Sequence, residues 1–142
     1  MIDAMDRRIL VALEENARIA FTDLGRKVGL SSAAVAERVR RLEETGVIIG
    51  YRAVVNPEKI GFPVSAYVKV KVRQEDVGKL IALARSTPEV KEAHHSTQAE
   101  VFLLRIASLG ETELASVIAQ LSELGETEST IVDSTPVEKY TT

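Results

Sequence analysis

Cysteine is absent from this 142-residue chain, and so is tryptophan. Without cysteine there is no disulfide, no thiolate nucleophile and no cysteine-ligated zinc or iron-sulfur site. Aromatic residues make up only 4% of the chain, and no apolar run approaches the roughly 18 residues of a membrane-spanning helix. The opening MIDAMDRRIL has acidic residues where a signal peptide is basic. We therefore expect a cytoplasmic protein that has no membrane partner.

Patterns that indicate catalysis or metal binding are also missing. There is no glycine-rich phosphate loop and no spacing typical of a catalytic nucleophile and its base, so we expect a non-enzyme without a cofactor. The two histidines, His94 and His95, are neighbours on a predicted strand, where successive side chains project to opposite faces. We expect one exposed and one half-buried histidine and no metal site.

The residues that are present indicate a globular chain with an uneven distribution of charge. Apolar residues make up 45% and charged residues 27%, with a formal net charge of -3. Residues 1–60 hold 10 Lys or Arg against 9 Asp or Glu, whereas residues 61–142 hold 8 against 12. Phosphate attraction depends on a patch within about a Debye length, so an acidic total does not exclude nucleic acid.

The first half of the chain predicts three helices. Asp3 is a plausible N-cap for the first helix, and Thr22 is expected to cap a short second one. Gly25 lies inside that second helix at a cost of about 0.8 to 1 kcal/mol relative to alanine, which suggests a close helix crossing. Gly29 follows at a chain reversal that favours positive φ. This spacing predicts a helix-turn-helix.

The third predicted helix begins after Ser31 or Ser32 and ends at Gly46. Val35, Val39 and Leu42 recur at helical spacing and form its buried stripe. The opposite face has small residues near the helix start, which would allow close approach to bases, and arginines that would reach phosphates or a guanine edge. We predict that this helix binds double-stranded DNA through Ser31, Ser32, Ala33, Glu37, Arg38, Arg40 and Arg41.

Two roles are expected within that set. Arg38 and Arg41 flank the buried stripe and are predicted to hold phosphates, whereas Ser32, Ala33, Glu37 and Arg40 are predicted to face the major groove. The alternative is an ordinary solvated helix face. Glu37 with Arg41, and Arg40 with Glu44, have the i, i+4 spacing of common surface ion pairs.

The rest of the chain predicts a connecting strand over VIIGYRAVV and then a β-α-β-β-α-β order. The predicted elements are strand 64–73, helix 76–85, strand 90–96, strand 100–107, a helix from Glu111 and strand 128–133. This order is the ferredoxin-like arrangement, with both helices on one face of the sheet. On the third strand, Val101 and Leu103 make the second face apolar, which favours a dimer with sheets face to face.

An Asp-Arg start, VGLS, ERVRRLE and the Asn56, Pro57 turn follow one another along the chain. In these motifs and in their order, the whole chain resembles the Lrp/AsnC family of transcription regulators. The resemblance implies an α+β protein with a winged helix-turn-helix domain at 1–50, a strand linker at 51–61 and a ferredoxin-like effector-binding and oligomerisation domain at 62–142. It also implies a homodimer that often assembles into an octamer, and a sequence-specific DNA-binding regulator that responds to an amino acid.

One segment departs from the family pattern. Where members of the family usually carry a Gly-Asp-Tyr-Asp-like turn, this chain has Gln98, Ala99, Glu100 and Val101. Glu100 could pair with the α-ammonium group of an effector, and Ser96, Thr97 and Gln98 could hydrogen-bond the effector. The alternative is a polar hairpin loop. A second function also stays open at this point: a ferredoxin-like dimer that binds or transforms a small molecule and uses its N-terminal domain for assembly.

Overall fold

The computed structural model describes residues 1–139, which form two compact units. The first unit is Met1–Val54 with residues 137–139, and the second is Val55–Pro136. The predicted linker 51–61 spans the division between the units, and the last three residues of the predicted 62–142 domain lie outside the described residues. No helix in residues 1–139 has the length and apolar character needed to cross a bilayer.

The first unit consists of three helices around one apolar core. These are α1 (Ala4–Glu15), α2 (Phe21–Val28) and α3 (Ser32–Glu44). Asp3 caps α1, as predicted, by accepting the Asp6 N–H at 2.8 Å. The expected Thr22 cap is wrong: α2 already begins at Phe21, and its N-cap residue Ala20 makes no side-chain hydrogen bond. Because the chain enters the helix early, the Thr22 hydroxyl lies beyond the capping position.

The turn between α2 and α3 confirms the helix-turn-helix. Gly29 has φ of 79° and donates its N–H to the Gly25 carbonyl at 2.7 Å. Gly25 does lie at a close approach, but the neighbour is the turn and not a crossing helix. A Cβ at Gly25 would lie 2.3 Å from the Leu30 carbonyl oxygen. Ser31 then caps α3 by accepting the Ala34 N–H at 3.1 Å.

The predicted connecting strand is not formed. Residues 49–56 have no strand pairing, and no strand that could make a wing follows α3 within the first unit as far as the structure describes it. A strand needs a hydrogen-bonding neighbour, and this segment has none among residues 1–139. Its apolar residues are consequently exposed, with Ile49 at 96% and Val54 at 77%.

The second unit has the predicted β-α-β-β-α-β order. Its elements are β1 (Val64–Val72), α4 (Val77–Ser86), β2 (Val90–His95), β3 (Val101–Ser108), α5 (Glu111–Ser122) and β4 (Gly125–Ile131). The strands form one sheet in the order β2-β3-β1-β4 with antiparallel neighbours. Leu80 of α4 and Leu121 of α5 share one core with Val68, Leu104 and Ile106, so both helices cover the same face.

The last strand begins three residues earlier than the predicted 128–133. Gly125 pairs with Val72, where a Cβ would lie 2.1 Å from the Lys71 carbonyl oxygen. Only glycine fits this close approach of two backbones. The sequence GETEST has no apolar residue, so hydrophobic alternation could not indicate a strand there.

The open face of the sheet is only partly as expected. Leu103 is 47% exposed there, together with Tyr67. Val101, which was expected on the same uncovered face, is instead buried. It begins β3 where the chain reverses, and its backbone exchanges hydrogen bonds with Gln98 and Ser96, so the hairpin itself encloses it.

Candidate functional site

The solvent-facing surface of α3 brings together most of the predicted DNA-binding residues. Ser31, Ser32 and Ala33 are exposed at the start of the helix, and Glu37 and Arg40 follow on the same side. The buried stripe of Val35, Val39 and Leu42 fixes this orientation, since all three have 3% exposure or less. The first turn of α3 therefore presents only small side chains to solvent, none larger than serine.

Arg38 and Arg41 turn away from this surface toward the start of α1. Arg38 Nη1 donates to Asp3 Oδ2 and to Asp6 Oδ1, both at 2.8 Å. Arg41 Nη2 donates to both carboxylate oxygens of Asp6 at 3.3 Å. These four residues, called here the Asp–Arg cluster, contain two cations and two anions. Their formal charge is zero, and the cluster joins α1 to α3.

The two carboxylates of the Asp–Arg cluster differ in burial. The Asp6 side chain is 1% exposed, whereas that of Asp3 is 54% exposed. The hydrogen bond from Arg38 lowers the pKa of Asp3 to about 2. Burial by itself raises the pKa of Asp6, but the Asp3 backbone N–H and Arg38 outweigh it, so the net shift is downward. Both carboxylates are therefore ionised at neutral pH.

Arg40 is also paired, within its own helix. It donates to Glu37 at 2.6 Å and forms an ion pair with Glu44 as the sequence spacing indicated. Glu37 bonds to Arg40 at i+3, not to Arg41 as its i, i+4 spacing suggested, and this bond lowers the pKa of Glu37. The trio of Glu37, Arg40 and Glu44 carries one net negative charge. Together with the Asp–Arg cluster, it gives every arginine of α3 a carboxylate partner.

Asp3 and Asp6 are the residues that the sequence did not place at this site. The signal was present in the Asp-x-x-Asp spacing, because each carboxylate accepts the backbone N–H of the other residue in a capping box. That spacing accounts for the helix start but not for the contact with α3, which joins residues more than 30 positions apart.

The predicted effector residues lie on the hairpin between β2 and β3. The Ser96 hydroxyl accepts the Gln98 N–H and donates to the Gln98 carbonyl, both at 3.1 Å, and so stabilises the turn itself. Thr97, Gln98 and Glu100 are exposed. No side-chain hydrogen bond is formed by any of these three among the residues that the structure describes.

A cleft of about 490 Å³ lies beside this hairpin, between α4 and β2. Its lining includes the apolar residues Ile81, Ala84, Val90 and Phe102 and the polar residues Arg85, Lys91, Glu92 and His95. His95 stacks on Phe102 with ring centroids 4.3 Å apart, and its Nε2 lies 2.6 Å from the Ala99 carbonyl oxygen. Both histidines are exposed, so the expected half-buried one is wrong. His95 connects the hairpin to the cleft.

Comparison with known proteins gives a match to the N-terminal part of the chain and matches over most of its length. Residues 2–43 match the AsnC-type helix-turn-helix domain. The chain is 41% identical, over 84% of its length and 80% of the relative's, to the proline dehydrogenase transcriptional activator of Rhodobacter capsulatus. It is 33% identical, over 92% of its length and 83% of the relative's, to the leucine-responsive regulatory protein of Haemophilus influenzae.

The solved structure of Bacillus subtilis LrpC has the same fold, with a TM-score of 0.91 and 28% identity over 98% of this chain and 99% of that one. These relatives are named as transcription regulators and not as enzymes. The comparisons therefore do not favour a small-molecule enzyme that uses its N-terminal domain for assembly. With its helix-turn-helix, its ferredoxin-like sheet and these relatives, the chain belongs to the Lrp/AsnC family of DNA-binding transcription regulators.

Proposed function

We propose that α3 is the recognition helix and enters the major groove of DNA with its first turn. The observation that carries this proposal is the exposed Ser31, Ser32 and Ala33 surface directly after the Gly29 turn. A helix approaches base edges only where its side chains are small or complementary, and the first turn of α3 has only small side chains. Cα positions there are free to approach the bases closely.

The longer side chains of α3 are then assigned by their direction. Glu37 and Arg40 lie one to two turns further along the exposed surface, so we assign them to base edges or to the groove wall. Arg38 and Arg41 lie toward α1, where a backbone phosphate would pass, and each keeps guanidinium N–H groups that Asp3 and Asp6 do not use. We assign these two to phosphates.

Alanine variants separate phosphate contacts from base contacts. Arg41→Ala should weaken binding to all duplexes alike and reduce the slope of log affinity against log salt by about 0.9, the loss of one phosphate contact. Arg40→Ala should instead change the preference among sequences. Lys79→Ala on α4 is a control with the same loss of charge. Unchanged affinity, slope and preference in both arginine variants would remove α3 from the interface.

A second part of the proposal concerns an effector at the hairpin. Glu100 offers a carboxylate to an α-ammonium group, and Thr97 and Gln98 have polar groups that the fold does not use. The adjoining cleft offers apolar contact to a side chain. The leucine-responsive name of one relative points to an amino acid as the class of ligand. We propose an apolar amino acid, with Ser96 shaping the turn that holds it.

Calorimetry with the twenty amino acids tests the effector site. Glu100→Gln should lose roughly 2 kcal/mol or more of binding free energy, because a bound ammonium group would be left without its anion. Glu126→Gln on β4 is a control for loss of an exposed carboxylate. Equal binding by wild type and Glu100→Gln would exclude Glu100 from the site, and no heat from any amino acid would favour the polar hairpin loop.

Assembly and location complete the proposal. The exposed Tyr67 and Leu103 on the open sheet face support a homodimer, and the family resemblance extends this to an octamer. We infer a cytoplasmic location, since a DNA-binding regulator of this family acts on chromosomal DNA.

A further inference from the structure

The Asp–Arg cluster has an inner carboxylate and an outer one. Asp6 is buried between α1 and α3 and holds both arginines from beneath, whereas Asp3 lies half exposed over the same Nη1 atom of Arg38. Nη1 thus donates to three carboxylate oxygens, to Asp3 Oδ1 at 3.0 Å, Asp3 Oδ2 at 2.8 Å and Asp6 Oδ1 at 2.8 Å. Asp6 cannot leave without exposing a buried ion pair, whereas the half-exposed Asp3 can leave Arg38 by giving up its cap on the Asp6 N–H.

A DNA phosphate and the Asp3 carboxylate are chemically alike as partners for a guanidinium group. Each is an anion whose oxygens accept charge-assisted hydrogen bonds at about 2.7 to 2.9 Å. A phosphate that reaches Arg38 from solvent can displace the half-exposed Asp3, or it can bind the N–H groups that the carboxylates leave free. In the first case it must break the Asp3 ion pair, and in the second it lies beside the negative charge of Asp3, so either event weakens the phosphate contact.

We propose that Asp3 is an intrachain competitor of phosphate at Arg38 that lowers the affinity for every duplex alike. The inference rests on the proposed DNA contact of α3. Sequence-independent phosphate attraction supplies most of non-specific binding, so the competition weakens the hold of the protein on DNA of any sequence. Asp3 stays ionised at every pH near neutrality, and the competition is therefore always present.

The substitution Asp3→Asn tests competition without removing the helix cap. Asparagine caps helices about as well as aspartate, and its side-chain oxygen can still accept the Asp6 N–H. Fluorescence anisotropy should show tighter binding to random duplex DNA, by up to about fivefold, the upper range for an exposed ion pair. The slope against salt should steepen by about 0.9. A purely structural role for Asp3 predicts the opposite sign, since loss of an ion pair weakens the fold.

Two controls make the result specific to Arg38. Asp23→Asn removes an equivalent exposed carboxylate, paired with Arg26 at 3.3 Å in the same unit, and should raise affinity less than Asp3→Asn does. In an Arg38→Gln background, Asp3→Asn should no longer raise affinity. Equal gains in the two single variants, a gain that persists without Arg38, or unchanged or weaker binding by Asp3→Asn would overturn the competitor role. If the wild type itself shows no salt-dependent DNA binding, the proposed DNA contact fails together with this inference.

Discussion

Asp6 shows why the arginines of α3 gather beside one another in an acidic protein. Its carboxylate is almost completely buried and accepts hydrogen bonds from both Arg38 and Arg41. A buried charge is tolerated only when it is paired and hydrogen-bonded, so the arginines are needed for the fold whether or not DNA is bound. The same side chains retain free N–H groups for a phosphate, and one pair of residues can therefore serve both purposes.

Asp6→Asn should destabilise the first unit by roughly 2 kcal/mol. Removing one partner of a buried ion pair typically costs about 3 to 5 kcal/mol, and the partial exposure of Arg38 and Arg41 reduces that cost. Amide hydrogen exchange of α1 and α3 in the full chain measures the change. Asp23→Asn, at an exposed pair, should change exchange little. Equal protection in wild type and Asp6→Asn would show that the Asp–Arg cluster does not stabilise the unit.

Acid should weaken the same contacts. Asp3 and Asp6 have lower pKa values folded than unfolded, so they stabilise the fold above the unfolded value of about 3.9. This stabilisation is lost as pH falls through the folded pKa, which for Asp3 is about 2. Urea unfolding followed by circular dichroism should show a lower midpoint at pH 2 than at pH 5, with a smaller drop in Asp3→Asn. Identical drops would contradict the role of Asp3.

Among the elements, the helices of the first unit were predictable because their signals are local. Glycine at a turn, a serine cap and a 3.6-residue apolar period each act over a few neighbouring positions, as Gly29, Ser31 and Val35 illustrate. The contacts of Arg38 with Asp3 and Asp6 were not predictable, since the side chains meet only after α1 and α3 pack. The connecting strand failed for a related reason: its residues have high β-propensity, but pairing requires a neighbour that the sequence cannot specify.

Gly25 provides a test of the helix-turn-helix geometry. A methyl group at Gly25 would collide with the Leu30 carbonyl oxygen, and forced overpacking typically costs about 1 to 3 kcal/mol. Gly25→Ala should therefore destabilise the first unit despite the higher helix propensity of alanine. Gly78→Ala on α4 is a matched control with open space around it, and should be neutral or stabilising by up to about 1 kcal/mol. Thermal unfolding that treats both variants alike would contradict the close turn.

On the scale of the whole molecule, the open face of the sheet in the second unit has no cover from its own helices. Tyr67 and Leu103 are exposed among charged neighbours such as Lys69. This apolar patch was partly anticipated from the alternation in β3, although Val101 proved to be enclosed by the hairpin. The partner that covers this face is recognised through association between chains. The sequence indicates such association only through the apolar residues that it leaves exposed.

Leu103→Lys should weaken self-association of the full chain. Lysine at the centre of a sheet-to-sheet interface would bury a charge next to Lys69, its partner on β1, and unpaired buried charge opposes association. Light scattering at micromolar concentration should show a shift toward monomer, whereas Leu109→Lys, outside the strands, should not change the mass. An unchanged oligomer in Leu103→Lys would place the interface elsewhere.

The recognition role of α3 is tested most directly by placing a carboxylate on its first turn. Ala33→Glu adds one negative charge to an exposed residue of α3, and Ala82→Glu adds the same charge to an exposed residue of α4 in the other unit. Fluorescence anisotropy with duplex DNA at two salt concentrations compares both variants with wild type. If α3 enters the major groove, Ala33→Glu loses about tenfold or more in affinity, the cost of one disrupted base contact, and Ala82→Glu binds like wild type. Equal affinity of the two variants would contradict the recognition role of α3.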